Sequence, residues 1–259
     1  MKTRLRRVGL YATIVAILAI ALFPFWWMID ESLKQPVEIF SGANLYPHHP
    51  TMSNYSQLFN DYHFGSYLEN SILVVTVTVF VSLVLGTLAA YSLARFNLRL
   101  GLNQSALVVA LLVRMIPAIL LVIPLYLMLA RWGLLNTRIG LIIIYTGINT
   151  SFVIWMMQSF LAEIPRDIEE AAMVDGDTRL SALRRVVLPL AAPGLAATAI
   201  FSVIATYNDF LIALSLTSTP AAAIGPYSIW ILPISVETPT GTVWAVGVEV
   251  SDSASRKSL

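Results

Sequence analysis

Five long apolar runs separated by polar connections restrict the fold of this 259-residue chain more than any other feature. They cover residues 8–28, 71–91, 106–130, 139–160 and 193–216. Each run can cross the roughly 30 Å hydrocarbon core of a bilayer as a helix of about 20 residues. Only 12% of the residues are charged, against roughly a quarter in soluble proteins. The sequence therefore predicts an all-α, polytopic membrane protein with one transmembrane domain over residues 1–259.

The first run follows a cluster of basic residues, as the apolar core of a secretory signal peptide also does. A signal peptide, however, has a shorter apolar core and ends in small residues at its cleavage site. This run ends in Phe25, Trp26 and Trp27, which are typical of a membrane interface. We therefore expect it to be a membrane helix.

The basic residues predict the orientation, because Lys and Arg are enriched on the cytoplasmic side of membrane proteins. A cytoplasmic N-terminus leaves only Lys34, Arg131 and Arg138 in the outer connections. The cytoplasmic side then receives Lys2, Arg4, Arg6, Arg7, Arg95, Arg99, Arg166, Arg179, Arg184 and Arg185. We expect this topology, with a cytoplasmic N-terminus and a long, aromatic outer loop over residues 29–70.

Several kinds of chemistry are not expected in this chain. It has no cysteine, which excludes disulfides and thiolate metal sites, and its net charge of +1 gives no indication of a nucleic-acid partner. The histidines are not grouped with carboxylates at metal-ligand spacing, so no metal site is predicted. No lysine lies in a Gly-rich phosphate-binding loop, so ATP hydrolysis is not expected here.

The sequence of the connection over residues 162–190 predicts a short helix, a turn and a second helix. Pro165 and Asp167 suit a helix start, and carboxylates in the first turn complement the helix dipole. Gly176 favours a sharp reversal that a residue with a Cβ would resist, and Pro189 would disrupt the second helix. Two apolar faces are expected, one of Ile168, Ala171, Ala172 and Val174, the other of Leu180, Leu183, Val186 and Val187.

This segment, hereafter the coupling loop, resembles the EAA loop of the membrane subunits of bacterial ATP-binding-cassette importers. The resemblance implies a bacterial or archaeal cell membrane as the location of the chain. The family pattern is Glu-Ala-Ala, three residues, Gly, nine residues and Ile-x-Leu-Pro, and the chain keeps that spacing with Val186 in the Ile place. The matching positions, with the acidic residue before the glycine, are Glu170, Ala171, Ala172, Asp175, Gly176, Leu188 and Pro189. The resemblance covers about residues 8–218 and implies that these residues couple the chain to an ATPase.

Weaker matches are similar to the sugar-importer branch, and within it to the maltose-type second permease subunit. They are Asn54-Tyr55, Asn70-Ser71, Arg114-Met115-Ile116-Pro117, Ile123-Pro124-Leu125-Tyr126, Gly133-Leu134-Leu135-Asn136-Thr137 and Asn208-Asp209-Phe210. The resemblance implies a second, related permease subunit, two ATP-binding-cassette ATPase subunits and an extracytoplasmic solute-binding protein as partners. ATP and Mg would be bound by the ATPase subunits, with no cofactor in this chain.

Four polar residues inside predicted spans are candidates for the substrate path, because such groups are costly in hydrocarbon unless they face a cavity, a partner or the interface. They are Arg114, Tyr207, Asn208 and Asp209. Hydroxyl-rich solutes suit amides, carboxylates and aromatic rings. Arg114 could equally extend to the cytoplasmic face, and Asn208 with Asp209 could equally bond to a neighbouring helix.

The C-terminal part departs from the family, which is expected to have a sixth span. The apolar stretch 241–250 covers only about half a bilayer, and 221–235 is interrupted by Gly225, Pro226 and Pro233. The segment 251–259 is polar and is expected to be disordered. We expect five clear spans and an atypical or truncated sixth.

The sequence thus predicts a permease subunit of an ATP-driven importer, translocating a sugar or oligosaccharide by alternating access and having no catalytic residues. An importer of the same superfamily for a polyamine or glycerol phosphate is one alternative. An intramembrane enzyme is another, but no nucleophile, metal set or carboxylate pair occurs at a common depth. A secondary transporter would not need the coupling-loop motif.

Overall fold

The computed structural model describes residues 2–40, 44–61, 64–96, 102–217, 234–238 and 241–245. Within this part the elements are helices, except for one two-stranded hairpin. Contacts divide the chain into two compact units, Met1–Phe64 and Gly65–Leu259. This division concerns packing only, and a single permease domain stays a prediction.

The first unit contains α1 (Lys2–Ser32), α2 (Pro36–Phe40) and α3 (Ser53–Asn60). The predicted first span lies inside α1, whose 27-residue apolar stretch Arg6–Ser32 is 0% buried within the chain. Its side chains therefore need lipid or another protein around them. The predicted outer loop 29–70 is not one irregular loop, because it contains α2, α3 and the first turns of the next helix.

Two long helices, α4 (Phe64–Arg95) and α7 (Arg138–Glu163), contain the second and fourth predicted spans and pack together in the second unit. A Cβ on Gly86 of α4 would lie 2.6 Å from the Val153 side chain of α7, so the glycine permits close approach. One buried apolar cluster includes Val74 and Leu141, and another includes Tyr91 and Leu161. Both clusters thus contain residues of α4 and of α7, together with residues from other helices.

The third predicted span, 106–130, in which Pro117 and Pro124 are expected to cause a bend, is interrupted at Pro117. The structure has α5 (Leu102–Met115) and α6 (Ala118–Arg131), which meet at 96°. Pro117, with φ −57° and ψ 132°, lies at the break. Proline lacks an N–H and disfavours helical backbone in the residue before it, here Ile116, which explains the interruption.

The fifth predicted span, 193–216, is also interrupted. Helix α11 (Ala192–Tyr207) ends before Asn208, and α12 (Leu211–Leu216) is a separate short helix. The Asn208 side chain donates to the Ile204 carbonyl at 2.9 Å, and Asp209 accepts from the Ile212 N–H at 3.0 Å. Asn and Asp readily replace backbone hydrogen bonds with their own side chains, so they favour a break here.

The C-terminal region contains two strands, whereas the sequence predicted an all-α chain. Strands β1 (Ile234–Thr238) and β2 (Gly241–Ala245) pair antiparallel, with Ile234 opposite Ala245. Thr242, Val243 and Trp244 belong to residue types that favour strands, which accounts for the difference. Residues 221–233 and 246–250, and the predicted disordered segment 251–259, lie outside the described residues.

With α1, α4 and α7 long and apolar enough to cross a membrane, the described residues contain three candidate spans, or up to five if each bent helix pair is one span. The second such pair is Arg179–Leu190 with Ala192–Tyr207, which meet at 75°. This supports a multi-pass membrane protein, while the number of spans stays a prediction.

Candidate functional site

The first arm of the coupling loop is α8 (Arg166–Val174). It begins after Pro165, carries Asp167 and Glu169 in its first turn, and ends in a tight turn at Gly176. Gly176 has φ +99°, a conformation that side chains with a Cβ rarely adopt, so the predicted helix start and reversal are both present. An added Cβ there would meet nothing within 4 Å, which means that backbone conformation, not crowding, favours glycine.

The second arm contains α9 (Arg179–Ala182), a π-helix (Leu183–Val187) and α10 (Leu188–Leu190). The Thr178 hydroxyl caps α9 by accepting from the Ser181 N–H at 3.3 Å. Pro189 has no N–H for the Arg185 carbonyl, and the π-helix immediately precedes it. The predicted disruption by Pro189 therefore appears as a π-helix and a bend rather than as one regular helix.

The structure decides which residues of the two arms are buried, which the sequence analysis does not predict. Leu183 and Val187 are buried, but Leu180 is exposed. In α8 the expected apolar face is turned outward, with Val174 87% exposed, and the one buried residue is Glu169 at 3%. The coupling loop thus presents Val174, Leu180 and neighbouring residues to solvent or to another protein.

The burial of Glu169 follows from its partners at the C-terminal end of α4. Tyr91 donates a hydrogen bond to one carboxylate oxygen of Glu169, and Arg95 Nε donates to the other at 2.8 Å. The two α4 residues are one turn apart and therefore share a face. Sequence analysis missed this cluster, since the i, i+4 spacing of Tyr91 and Arg95 gives no indication of a residue that lies 74 positions from Arg95.

The predicted coupling residues lie mainly on the surface. Glu170, Ala171, Asp175, Gly176 and Pro189 are exposed, while Ala172 and Leu188 are partly buried. Beside them is a shallow cavity of ≈ 580 Å³ lined by Thr178, Leu180, Ser181, Arg184 and Arg185. The surface combines acidic, basic and apolar groups, as a protein-docking surface does.

The four substrate-path candidates have different partners. The Arg114 guanidinium lies 4.3 Å from the centroid of the Phe152 ring, and Asp209 accepts from the Tyr145 hydroxyl at 3.4 Å. Tyr145 and Phe152 are two turns apart on α7, so both contacts lie along one face of that helix. Tyr207 is the last residue of α11, and Asn208 and Asp209 follow the helix end rather than lying within a span.

Sequence analysis also missed a buried hydrogen bond between helices near this position. Asn149 of α7 donates to the Thr206 hydroxyl of α11 at 2.9 Å, and Asn149 is 3% exposed. Buried amides need such partners, so the bond fixes α11 against the same α7 face. Oδ1 of Asp209 accepts from both the Tyr145 hydroxyl and the Ile212 N–H at the start of α12.

Comparisons of the amino-acid sequence with known proteins identify relatives of this chain. A family model described as "Binding-protein-dependent transport system inner membrane component" matches residues 82–250. The trehalose transport system permease protein SugB of Mycobacterium tuberculosis is 39% identical over 89% of this chain and 84% of its own length. The trehalose/maltose transport system permease protein MalG of Thermococcus litoralis is 33% identical over 94% of this chain and 88% of its own.

A solved structure shares the fold. One chain of a bacterial ABC transporter that imports the acidic polysaccharide alginate superimposes with a TM-score of 0.72. It is 24% identical in sequence, and the match covers 86% of this chain and 78% of the other.

Proposed function

Since the chain belongs to the family of inner membrane components of binding-protein-dependent transport systems and is a membrane permease subunit, we propose that it imports a sugar or oligosaccharide. Its relatives are named as permease proteins, so its role is transport rather than catalysis. The names of two relatives, for trehalose and for trehalose/maltose transport, support the choice of solute.

The exposed face of the coupling loop is the observation that carries the proposed mechanism. Glu170, Asp175 and Gly176 are exposed, whereas Glu169 beside them is buried against α4. A surface of this kind can receive a partner on one side while its other side is fixed to the membrane helices. We infer that a cytoplasmic ATPase subunit docks on it and that nucleotide-driven movement is passed to α7 and α11, the helices on either side of the loop.

The partners of the subunit follow from the same reasoning. Two ATPase subunits would bind ATP and Mg, and an extracytoplasmic binding protein would deliver the solute. In the most apolar stretch of α4, and likewise of α7, only 39% of the residues are buried within the chain. The apolar surface that remains needs lipid or another protein around it, and a second, related permease subunit could cover part of it. The proposed topology places the N-terminus and the coupling loop in the cytoplasm.

The first expected result concerns uptake after changes in the coupling loop. Gly176→Asp forces a Cβ into the φ +99° conformation and adds charge to the docking surface, and Glu170→Lys reverses an exposed charge. We expect each to lower ATP-dependent uptake of labelled sugar by roughly tenfold or more, as changes at central interface residues do. The measurement uses vesicles that contain this subunit with its co-encoded partners.

Gly133→Asp is the matched control, because Gly133 also has positive φ, at +65°, and open space around it. It precedes α7, whereas the coupling loop follows that helix. Uptake should fall much less than in Gly176→Asp. Uptake that survives both coupling-loop changes would overturn the docking assignment, and uptake of a polyamine or glycerol phosphate instead of a sugar would overturn the solute class.

A second expected result separates two roles of Asp209. Asn at this position can still cap α12, because Asn and Asp are comparable N-caps, but it removes the negative charge. If Asp209 faces the solute, Asp209→Asn should raise the KM for sugar by about tenfold, the loss of one charge-assisted hydrogen bond. The exposed Asp61→Asn provides a control in the same assay. An unchanged KM would leave Asp209 with its capping role alone.

A further inference from the structure

The C-terminal turn of α4 holds the start of α8 through several contacts at once. Besides the two bonds to Glu169, Arg95 donates to the Ile164 carbonyl at 3.1 Å, and Arg166 donates to the Ala94 carbonyl at 2.9 Å. These contacts run in both directions between residues 91–95 and residues 164–169. The attachment therefore does not depend on the covalent connection of α8 to α7.

The second arm is attached to the same end of α4. The Arg179 guanidinium lies 5.0 Å from the centroid of the Phe96 ring, and the Phe96 ring meets the Tyr91 ring edge-on at 6.4 Å between centroids. In addition, the apolar cluster that includes Tyr91, Leu161 and Val187 joins α4, α7 and the π-helix. The coupling loop thus contacts α4 through one set of charged groups and one apolar cluster.

Because the Arg95–Glu169 ion pair is buried, substitution of either residue is expected to disrupt the contact between α4 and α8. The side chains of Arg95 and Glu169 are 5% and 3% exposed, so neither charge is well hydrated. Removing one partner of such a pair leaves the other charge uncompensated, which is far more disruptive than breaking an exposed pair. Arg185 and Asp177, an exposed pair in the same loop, are 3.3 Å apart with 74% and 24% exposed side chains.

We propose that Glu169, held by Arg95 and Tyr91, is a positioning residue that makes α4 move together with α8 when the ATPase subunits open and close. This rests on the proposed function of the coupling loop and extends it to a helix that the loop does not adjoin in sequence. Without the contact, α4 keeps only the Arg95–Ile164 and Arg166–Ala94 bonds, the Arg179–Phe96 contact and the apolar cluster as links to the coupling loop, whereas α7 and the 179–207 helices adjoin α8 in sequence. Helix α4, about 48 Å long from its 32 residues, would then lag behind.

Glu169→Gln tests the proposal, because it keeps the shape of the side chain and removes its charge. We expect the sugar imported per ATP hydrolysed to fall about fivefold or more, in the range of coupling energies measured between sites, while the rate of ATP hydrolysis changes less than about twofold. Glu163→Gln is the matched control, an identical change at an exposed residue near α8. The Arg95→Glu, Glu169→Arg double variant should recover part of the ratio.

A second measurement does not depend on the solute. The chain has no cysteine, so Ser92→Cys and Asp167→Cys give two unique, exposed sites for spin labels on α4 and α8. In the assembled complex, we expect the separation of the labels to be the same with and without a non-hydrolysable ATP analogue. In Glu169→Gln the separation should change with nucleotide. Where Glu169→Gln does not assemble, Tyr91→Phe removes one hydrogen bond without unbalancing charge and should show the same trend.

The outcomes distinguish the two proposals. A native label separation that changes with nucleotide, or a Glu169→Gln complex that keeps both the native separation and the native import ratio, would overturn the positioning role. If no sugar is imported but the label separations behave as expected, the proposed solute fails and the positioning role stands.

Discussion

Replacing Gly194 with valine is expected to destabilise the second unit by about 3 kcal/mol, near the upper part of the range for overpacked cores. A Cβ on this buried residue of α11 would lie 2.4–2.8 Å from three ring atoms of Phe160 in α7. The nearest of them is Cγ, which moves only if the Phe160 side chain changes its χ1 rotamer or the helix shifts. We expect a lower yield of folded subunit and a lower unfolding temperature in detergent.

Gly147→Val supplies the control, because an added Cβ at Gly147 of α7 meets nothing within 4 Å and valine is a better helix former than glycine. Its stability should be unchanged or slightly higher. In Gly194→Val, the additional change Phe160→Ala removes the ring and should restore part of the lost stability, since contacting residues are energetically coupled. Fully additive losses in the double variant would show that the Phe160 contact does not limit the packing of α11.

The second large effect is expected in the first unit, at Lys34. Its ammonium group lies 2.6 Å from Asp30 Oδ2 and 2.6 Å from the Asn44 carbonyl oxygen, and the residue is 1% exposed. Lys34→Met leaves the Asp30 carboxylate, itself 3% exposed, without its counter-charge. We expect limited proteolysis between residues 36 and 61 to become roughly tenfold faster or more, because the local structure opens more often.

Charge is the cause under test, so the Asp30→Leu, Lys34→Met double variant should be more resistant than Lys34→Met alone. Glu31→Gln should have a small effect, because that carboxylate is 29% exposed and can be hydrated. Burial of the Lys34 ammonium opposes its protonation, but hydrogen bonds to Asp30 and Glu31 outweigh this and raise its pKa above the usual 10.5. The stabilisation contributed by the charged Lys34 is therefore fully present at neutral pH. It is lost as the pH rises through the raised pKa of Lys34. A double variant that is cleaved as fast as Lys34→Met would contradict this explanation.

The amino-acid sequence by itself determined the class of protein and the outline of the coupling loop. Long apolar runs leave a chain few alternatives to membrane helices, because backbone groups in lipid must be paired within the segment. Gly176 and Pro165 act through their own backbone preferences, so their effects could be predicted without knowing their neighbours. The residue types and their spacing from Glu170 to Pro189 indicated the family, because such a motif can be identified along the sequence without the fold.

Only the tertiary structure decided which side of the coupling loop is buried. Local pattern indicated an apolar face on α8 and gave Glu169 a role in the helix dipole, but it did not indicate that Glu169 is buried while Val174 is exposed. Pro117 indicates a bend through its own backbone preference, but the break at Asn208 could not be placed from hydropathy, because apolar residues continue on both sides of it. A buried charge is stable only beside partners that the fold brings near, and Arg95 lies 74 positions from Glu169, so no local property of either residue could reveal the pair.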